Sequence, residues 1–597
     1  MKKPMSKLIA LALATIMAVS CLTGCGEKKG SGSGSATGSE GGSALIESKL
    51  GFEGEENEFG WVKPKETLEI NVYAGYGDMD ELLKDEKGGK ATFDKWLLDN
   101  MNVKINWQYY SVDMDEKLNL MLASGDYPEV ITWMSDDMAN KFIAQGKALD
   151  ITDYVEKFGG NITRRMGNYY NMLRSDDGRV YKLAQYWGEN PNVAGLDFGA
   201  RYDYWLELGD SKIYETLDEY YDAMSRILAN HPTNDAGQKT YAFSSADKAG
   251  KNLLNAPLGA YGFVNGYKKN ADGTMTHWLN TEEGLKVAKF INKCWREGLI
   301  DPDFLSNGYE EYTTMMTNGQ LLGNMGTWWY AWTGGHQAWA VSEGDDYDVK
   351  ERFMNVSVHG DGVKMDETSL LTSNYIGTTR CIITDKCKDP EAVIRYINWE
   401  NSELGNYIVG WGAPSENNVW HIADDGTWVV NDEILDVDIK ETTYHAIKEA
   451  NGGELYAIAT NLNWLKNDGR SDFSHIDPRV DRVSFYDYWP VDPETGAFSN
   501  EGVNICWQYY TAPALDTTLY TTTFNPDDEI TITKQTIEDK IWQEWAKMIS
   551  AESEEACVAA FESAKSAMNA LGLADLEKYY AESYKANLES YEGKYSK

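Results

Sequence analysis

The chain has 597 residues, 42 % of them apolar, and a formal net charge of −39 at pH 7. That length exceeds one small core and leaves room for two or three domains. A field of that sign repels phosphate backbones, so nucleic acid is excluded as a partner. It also disfavours anionic ligands unless a local basic patch offsets it.

The chain opens on a secretory signal. Lys2, Lys3 and Lys7 surround or precede the apolar run 8–20, which is too short to span a bilayer. Leu22-Thr23-Gly24-Cys25 follows, and small residues before a cysteine suit a peptidase that cuts after Gly24. Residues 1–24 are thus a signal peptide, and Cys25 is the expected lipidation site. Two acyl chains there would anchor the chain to the outer face of the cell membrane. The plainer alternative is an ordinary cleaved signal with Cys25 incidental. A flexible tether is placed at 25–60, and within it 26–44 is mostly Gly and Ser. No later stretch is long and apolar enough to cross a bilayer.

The body opens with alternating elements. Leu68–Tyr73 and Val103–Tyr109 read as strands, and 79–100 reads as a helix interrupted at Gly88-Gly89. A helix over Asp115–Ser124 puts Leu118, Met121 and Leu122 on one face, and a third strand covers Val130–Trp133. This alternation predicts a largely parallel sheet. Asp176-Asp177-Gly178 marks a turn before Arg179–Leu183. Thr216 caps a helix to Ala229 with Glu219 as its box partner. A helix over Thr281–Glu297 stops at Gly298. Three C-terminal stripes follow: Ile537, Ile541, Trp545 and Met548; Phe561, Ala564, Met568 and Leu571; Leu576, Tyr580, Tyr584 and Leu588.

Five cysteines lie beyond the lipid site, at 294, 381, 387, 506 and 557, with no Cys-x-x-Cys pair. Cys294 and Cys557 read as small buried hydrophobes. The seven His are scattered and no metal site is expected; His231–Tyr241 reads as a turn, because it lacks the carboxylate ladder of a calcium loop. There is no Gly-x-Ser-x-Gly elbow and no Walker loop, and no catalytic residue or cofactor is implied.

The chemistry lies in 21 Trp, 37 Tyr and 16 Phe, many beside Gly or at strand ends. Open α/β sheets bind ligands at the carboxyl ends of their strands, and flat indole faces suit the axial C–H face of a sugar ring. Core packing claims a large share of these aromatics. Trp187, Trp328, Trp329, Trp332 and Trp411 are the expected stacking residues, followed by Tyr76, Trp133, Tyr261, Tyr375 and Trp507. Asp136, Asp137 and Arg201 are the expected hydrogen-bonders of the sugar rim, with a structural ion pair as the rival role of Arg201. A secreted glycoside hydrolase would also combine an aromatic cleft with two carboxylates. A peptide receptor would need charged groups for the peptide termini.

Beyond the lipobox, Met121–Ile131 (MLASGDYPEVI), Asp177–Leu183 (DGRVYKL), Arg201–Gly209 (RYDYWLELG), Thr216–Glu219 (TLDE), Glu297–Asp303 (EGLIDPD) and Asn318-Gly319-Gln320 occur in order, with Trp542-Gln543-Glu544-Trp545 near the end. With these the chain resembles the family 1 extracellular solute-binding lipoproteins of Gram-positive ABC sugar importers, in particular the LplA-like subgroup. It departs at Leu183-Ala184-Gln185, where that family often has Leu-Pro. The resemblance implies an α/β, two-lobed periplasmic-binding-protein-like (type II) fold with hinge crossovers and a helical C-terminus. It places the first lobe at 66–190 plus 375–430 and the second at 191–374 plus 431–597. It also implies a monomer that closes on a neutral oligosaccharide and is read by a membrane ABC permease.

Overall fold

A computed structural model of the chain describes residues 45–74, 89–109, 114–185, 196–209, 215–331, 334–335, 338–339, 353–355, 358–377, 379–415, 420–430, 457–459, 514–524 and 528–593. Cys25 and the signal lie outside them. Residues 45–597 cluster as one compact unit.

In chain order the strands are β1 (Leu68–Ala74), β2 (Val103–Tyr109), β3 (Val130–Met134), β4 (Leu183–Gln185), β5 (Asp197–Arg201), β6 (Tyr267–Lys269) and β7 (Met275–His277). They continue with β8 (Gly323–Gly326), β9 (Phe353–Asn355), β10 (Thr372–Ser373), β11 (Thr379–Ile383), β12 (Trp420–Ile422), β13 (Trp428–Val430) and β14 (Leu515–Asp516).

Two sheets carry two lobes. The first has the order β2-β1-β3-β11-β4. β1 pairs in parallel with β2, from Leu68↔Val103 to Ala74↔Tyr109, and with β3. β11 runs antiparallel to both β3 and β4. The four strands β1–β4 therefore point the same way, and their carboxyl ends share one edge. One face of this sheet packs Ile70, Val72, Val103 and Trp399; the other packs Tyr73, Leu118, Ile131 and Phe142. The second sheet, β8-β5-β9, is antiparallel. Its core joins Phe198 and Tyr220 to Trp278, Ile291, Trp545 and Phe561, so the C-terminal helices complete this lobe. The lobes are joined after β4 and by the pair β10–β14, in register Thr372↔Leu515.

The helix stops and starts follow the local chemistry. Thr216 accepts the N–H of Glu219, whose carboxylate reaches back to the N–H of Glu215, one residue before the cap. Thr281 caps Glu282–Arg296, and Gly298 ends it at φ +78°, where a side chain would be strained. The C-terminal helices are Glu529–Ile549, Glu554–Ala570 and Leu573–Tyr591. Ile537, Ile541, Trp545 and Met548 are buried, as are Phe561, Ala564 and Met568. Leu571 is 36 % exposed, because it lies past the end of its helix and outside the stripe. The segment 231–241 forms a turn: Thr233 and Lys239 bridge, and Asn234 Oδ1 accepts the N–H of Gln238.

Four segments differ from the sequence reading. In 79–100 the described helix is Gly89–Trp96. It widens to a π turn over Leu97–Met101 and ends at Asn102 in the left-handed region. After the turn at 176–178 the strand is Leu183–Gln185, with only a bridge between Arg174 and Val180 before it. Residues 45–60 are packed and are not tether. Ile46 donates its N–H to Tyr154 Oη (2.8 Å), Ser48 Oγ donates to Asp389 (2.6 Å), and Phe59 is 8 % exposed. Residues 457–459, expected in the second lobe, sit in the first-lobe core, because their backbone groups find partners there.

Candidate ligand cleft

The carboxyl ends of β1–β4 lie on one edge, the side on which open sheets take their ligands, and near the ends of β3 and β4 Thr523 and Thr379 reach Asp136 and the Gln185 carbonyl. Trp133 lies at this edge, 9 % exposed, with φ +61°. A bulky residue in the left-handed region is strained and persists only where its surroundings over-determine it. Here the opposing strand β11 slips register between Arg380 and Ile382.

Ser135 follows and caps the helix Asp136–Ala144, accepting the N–H of Met138. The Asp136 carboxylate accepts from Arg380 Nε (2.6 Å), Lys182 Nζ (2.7 Å), Asn140 Nδ2 (3.0 Å) and Thr523 Oγ1 (3.4 Å). Burial would raise this carboxyl, but Arg380 and Lys182 outweigh it and hold the group well below the usual range. Arg380 also donates to the carbonyls of Ile376, Gly377 and Thr379, so it ties the crossover to the sheet. Asp136 is therefore the hub of an ion-pair network, and its oxygens are committed to it. Asp137 beside it is exposed; partial desolvation and the Asp136 charge raise its carboxyl.

Arg201, at the end of β5, is 9 % exposed. Its Nε donates to Asp203 (2.9 Å), and its guanidinium lies 4.6 Å from the ring centres of both Tyr204 and Trp339. This gives it the structural ion pair foreseen as its rival role, with cation–π support on two rings. Tyr261 is a core residue, 3 % exposed, packed so closely on Gly360 that a Cβ there would come within 2.2 Å of its ring. Tyr375 lies on a crossover. It stacks on Tyr169 (4.5 Å, 17°), and its N–H donates to Thr518 Oγ1 (2.8 Å). Trp328 and Trp329 open the short helix Trp328–Ala331 directly after β8, and Trp411 ends the helix Glu403–Trp411 before Gly412. Tyr76, Trp187, Trp332 and Trp507 lie outside the described residues. Trp133, Asp136 and Tyr375 thus share the interlobe edge of the first lobe, while Arg201 and Tyr261 are built into the second.

Sequence reasoning missed one feature of this edge. Thr132, Gln185, Glu400 and Asn401 all hydrogen-bond the backbone of Ala457–Ala459. The only sequence signal for it was the departure at 183–185, which puts Gln185 at the end of β4.

Two carboxyls of this region are committed to protein partners. Asp136 is lowered. Glu400 is pushed up to about 8 by burial, but it is enclosed and its oxygens are occupied by backbone amides. Among the described residues no three His, Cys, Asp or Glu converge on a metal position, and no helix is long and apolar enough to cross a membrane.

No family model matches the chain. It is 24 % identical over 241 residues to the polygalacturonan/rhamnogalacturonan-binding protein YtcQ of Bacillus subtilis, covering 38 % of this chain and 45 % of the relative. It is 21 % identical over 327 residues to the fructooligosaccharide ABC transporter substrate-binding protein FusA of Streptococcus pneumoniae, covering 52 % and 57 %. The chain thus spans about half the length of these two relatives. In structure it matches FusA in complex with kestose, with TM-score 0.59 and 14 % identity over 87 % of this chain and 99 % of that one. It also matches a human-milk-oligosaccharide-binding solute-binding protein of Bifidobacterium longum infantis, with TM-score 0.57 and 18 % identity over 88 % and 99 %. The fold is that of two-lobe solute-binding proteins.

Proposed function

We propose that this chain is an extracellular substrate-binding protein that captures a neutral oligosaccharide between its lobes and delivers it to an ABC permease. The observation that carries the reading is the interlobe edge of the first sheet. There four parallel strands end together, with a tryptophan held in a strained backbone conformation. The relatives that the chain resembles bind oligosaccharides and polysaccharides by name. The net charge of −39 favours an uncharged sugar over a polyuronate. Closure on the sugar is hinge motion driven by the higher affinity of the closed state. Lipidation at Cys25 would keep the protein beside its permease, and the segment 26–44 would be its leash.

The test is calorimetry of residues 45–597 with a panel of neutral tri- and tetrasaccharides led by kestose, set beside oligogalacturonates and peptides. The reading expects saturable binding of a neutral sugar and no cleaved product. Binding of peptides alone, or turnover of a glycan, would overturn it.

A further inference from the structure

Ala457–Ala459 has no regular secondary structure, yet it is buried in the first-lobe core. Buried backbone groups outside helices and sheets need other partners. Among the described residues, the partners of this segment are side chains. Glu400 accepts the N–H of Ile458 (3.0 and 3.1 Å to its two oxygens) and of Ala459 (3.2 Å). Gln185 Nε2 donates to the Ala457 carbonyl (3.1 Å), Thr132 Oγ1 to that of Ile458 (2.5 Å), and Asn401 Nδ2 to that of Ala459 (2.8 Å). All four side chains are buried, Glu400 completely. Enclosing a carboxyl is expensive, and a plain strand pairing would have satisfied the same backbone without one. The clamp therefore fixes this segment in a place that sheet pairing would not give.

That place is behind the interlobe edge. Thr132 is two residues from the end of β3 and directly precedes Trp133. Gln185 is the last residue of β4, and its own carbonyl accepts Thr379 Oγ1 (3.0 Å), where the chain returns from the crossover. Glu400 and Asn401 end the helix Pro390–Glu400. The clamp thus joins two outgoing strands, the returning strand and the segment between β13 and β14.

We propose that Ala457–Ala459 is a pinned support buried behind the edge of the sugar cleft, and that Glu400, Asn401, Thr132 and Gln185 are positioning residues for sugar binding. They brace the β3 end that carries Trp133 without touching the sugar. The inference rests on the sugar-binding reading above.

Two measurements on the same variants test it: hydrogen exchange at the Ile458 and Ala459 amides, and calorimetric Kd for kestose. Thr132→Val and Gln185→Met keep shape and remove a donor, and Glu400→Ala removes the central acceptor. Exchange at both amides should be slow in the wild type and accelerate on the order of tenfold or more in Glu400→Ala. Kestose binding should weaken about tenfold in Thr132→Val and Gln185→Met, a change of about 1.4 kcal/mol. Unchanged Kd in those two variants, folded and less stable, would make the clamp a packing device and overturn the proposal. If Glu400→Ala fails to fold, the milder pair still decides. Fast wild-type exchange at both amides would also sink it. Absence of sugar binding by the wild type would instead overturn the functional reading on which it rests.

Discussion

Asp136 holds its charge between two buried cations, and that arrangement sets what its loss would do. Without it Arg380 and Lys182 would face each other inside the protein, where breaking a buried pair typically costs about 3–5 kcal/mol. Asp136→Ala should therefore lower the unfolding free energy by roughly that amount in urea titrations, through the ion pairs that it removes. Its lowered carboxyl contributes stability above the ordinary aspartate range, and that contribution is lost as pH falls through its folded value. Glu400 has the opposite sign. Its folded value of about 8 lies above its ordinary 4.5, so its contribution is complete below 4.5 and is lost as pH rises through about 8. Burial also raises the two titratable neighbours that face it, the Cys381 thiol on β11 and the Tyr396 phenol on its own helix, so both stay neutral in that window. The thermal midpoint should fall between about pH 5 and about pH 9 in the wild type and flatten in Glu400→Gln, as scanning calorimetry would show. The sequence marked Asp136 as a hydrogen-bonder of the sugar rim, but it could not show that Lys182 and Arg380, 46 and 244 positions away, converge on it.

Among the elements, the legible ones carry their own punctuation. The helix Glu282–Arg296 announces itself by Thr281, by an apolar face and by Gly298, and all three do what their chemistry suggests. The same helix holds a joint that the sequence did not reveal. Asn292 Nδ2 lies within reach of the carbonyls of Met548, Ile549 and Ala551 (3.2, 3.0 and 2.7 Å), securing the end of a helix more than 250 residues away. Asn292→Ala should cost about 1–3 kcal/mol by stranding those carbonyls, and chemical denaturation would measure it. Gly405 obeys a purely steric rule. As the third residue after the cap Ser402 it lies so close to the preceding helix that a Cβ would sit 2.0 Å from the Trp399 carbonyl. Gly405→Ala should displace that helix start and destabilise the first lobe by about 1–3 kcal/mol, read as a lower melting temperature. Ala457–Ala459 was illegible for the opposite reason. It has no period and no cap, and among the described residues its support comes from remote side chains.

At the scale of the molecule, the lobes meet across a hinge that the last helix also reaches. Leu573–Tyr591 is rooted in the second-lobe core by Leu573 and Leu576. Along its length Asn587 donates to the carbonyls of Leu519 and Thr521, and at its end Tyr591 packs on Tyr169 of the first lobe (4.7 Å). Tyr169 also stacks on Tyr375 and donates to Asp516 (2.6 Å), so the crossovers and the terminal helix share one aromatic bearing. Tyr591→Ala should loosen this bearing without touching the cleft. Small-angle scattering should report a larger radius of gyration for the variant than for the wild type. The arm Leu45–Trp61 adds a second asymmetry. It is fastened at the amino ends of the first sheet, opposite the cleft, by Ile46 on Tyr154, Ser48 on Asp389 and Trp61 Nε1 on the Met101 carbonyl. A molecule grasped by its N-terminus would thus have the first lobe as stator and the second as rotor. A dye on the second lobe would sweep through space as the jaws shut, whereas the same dye on the first would barely stir.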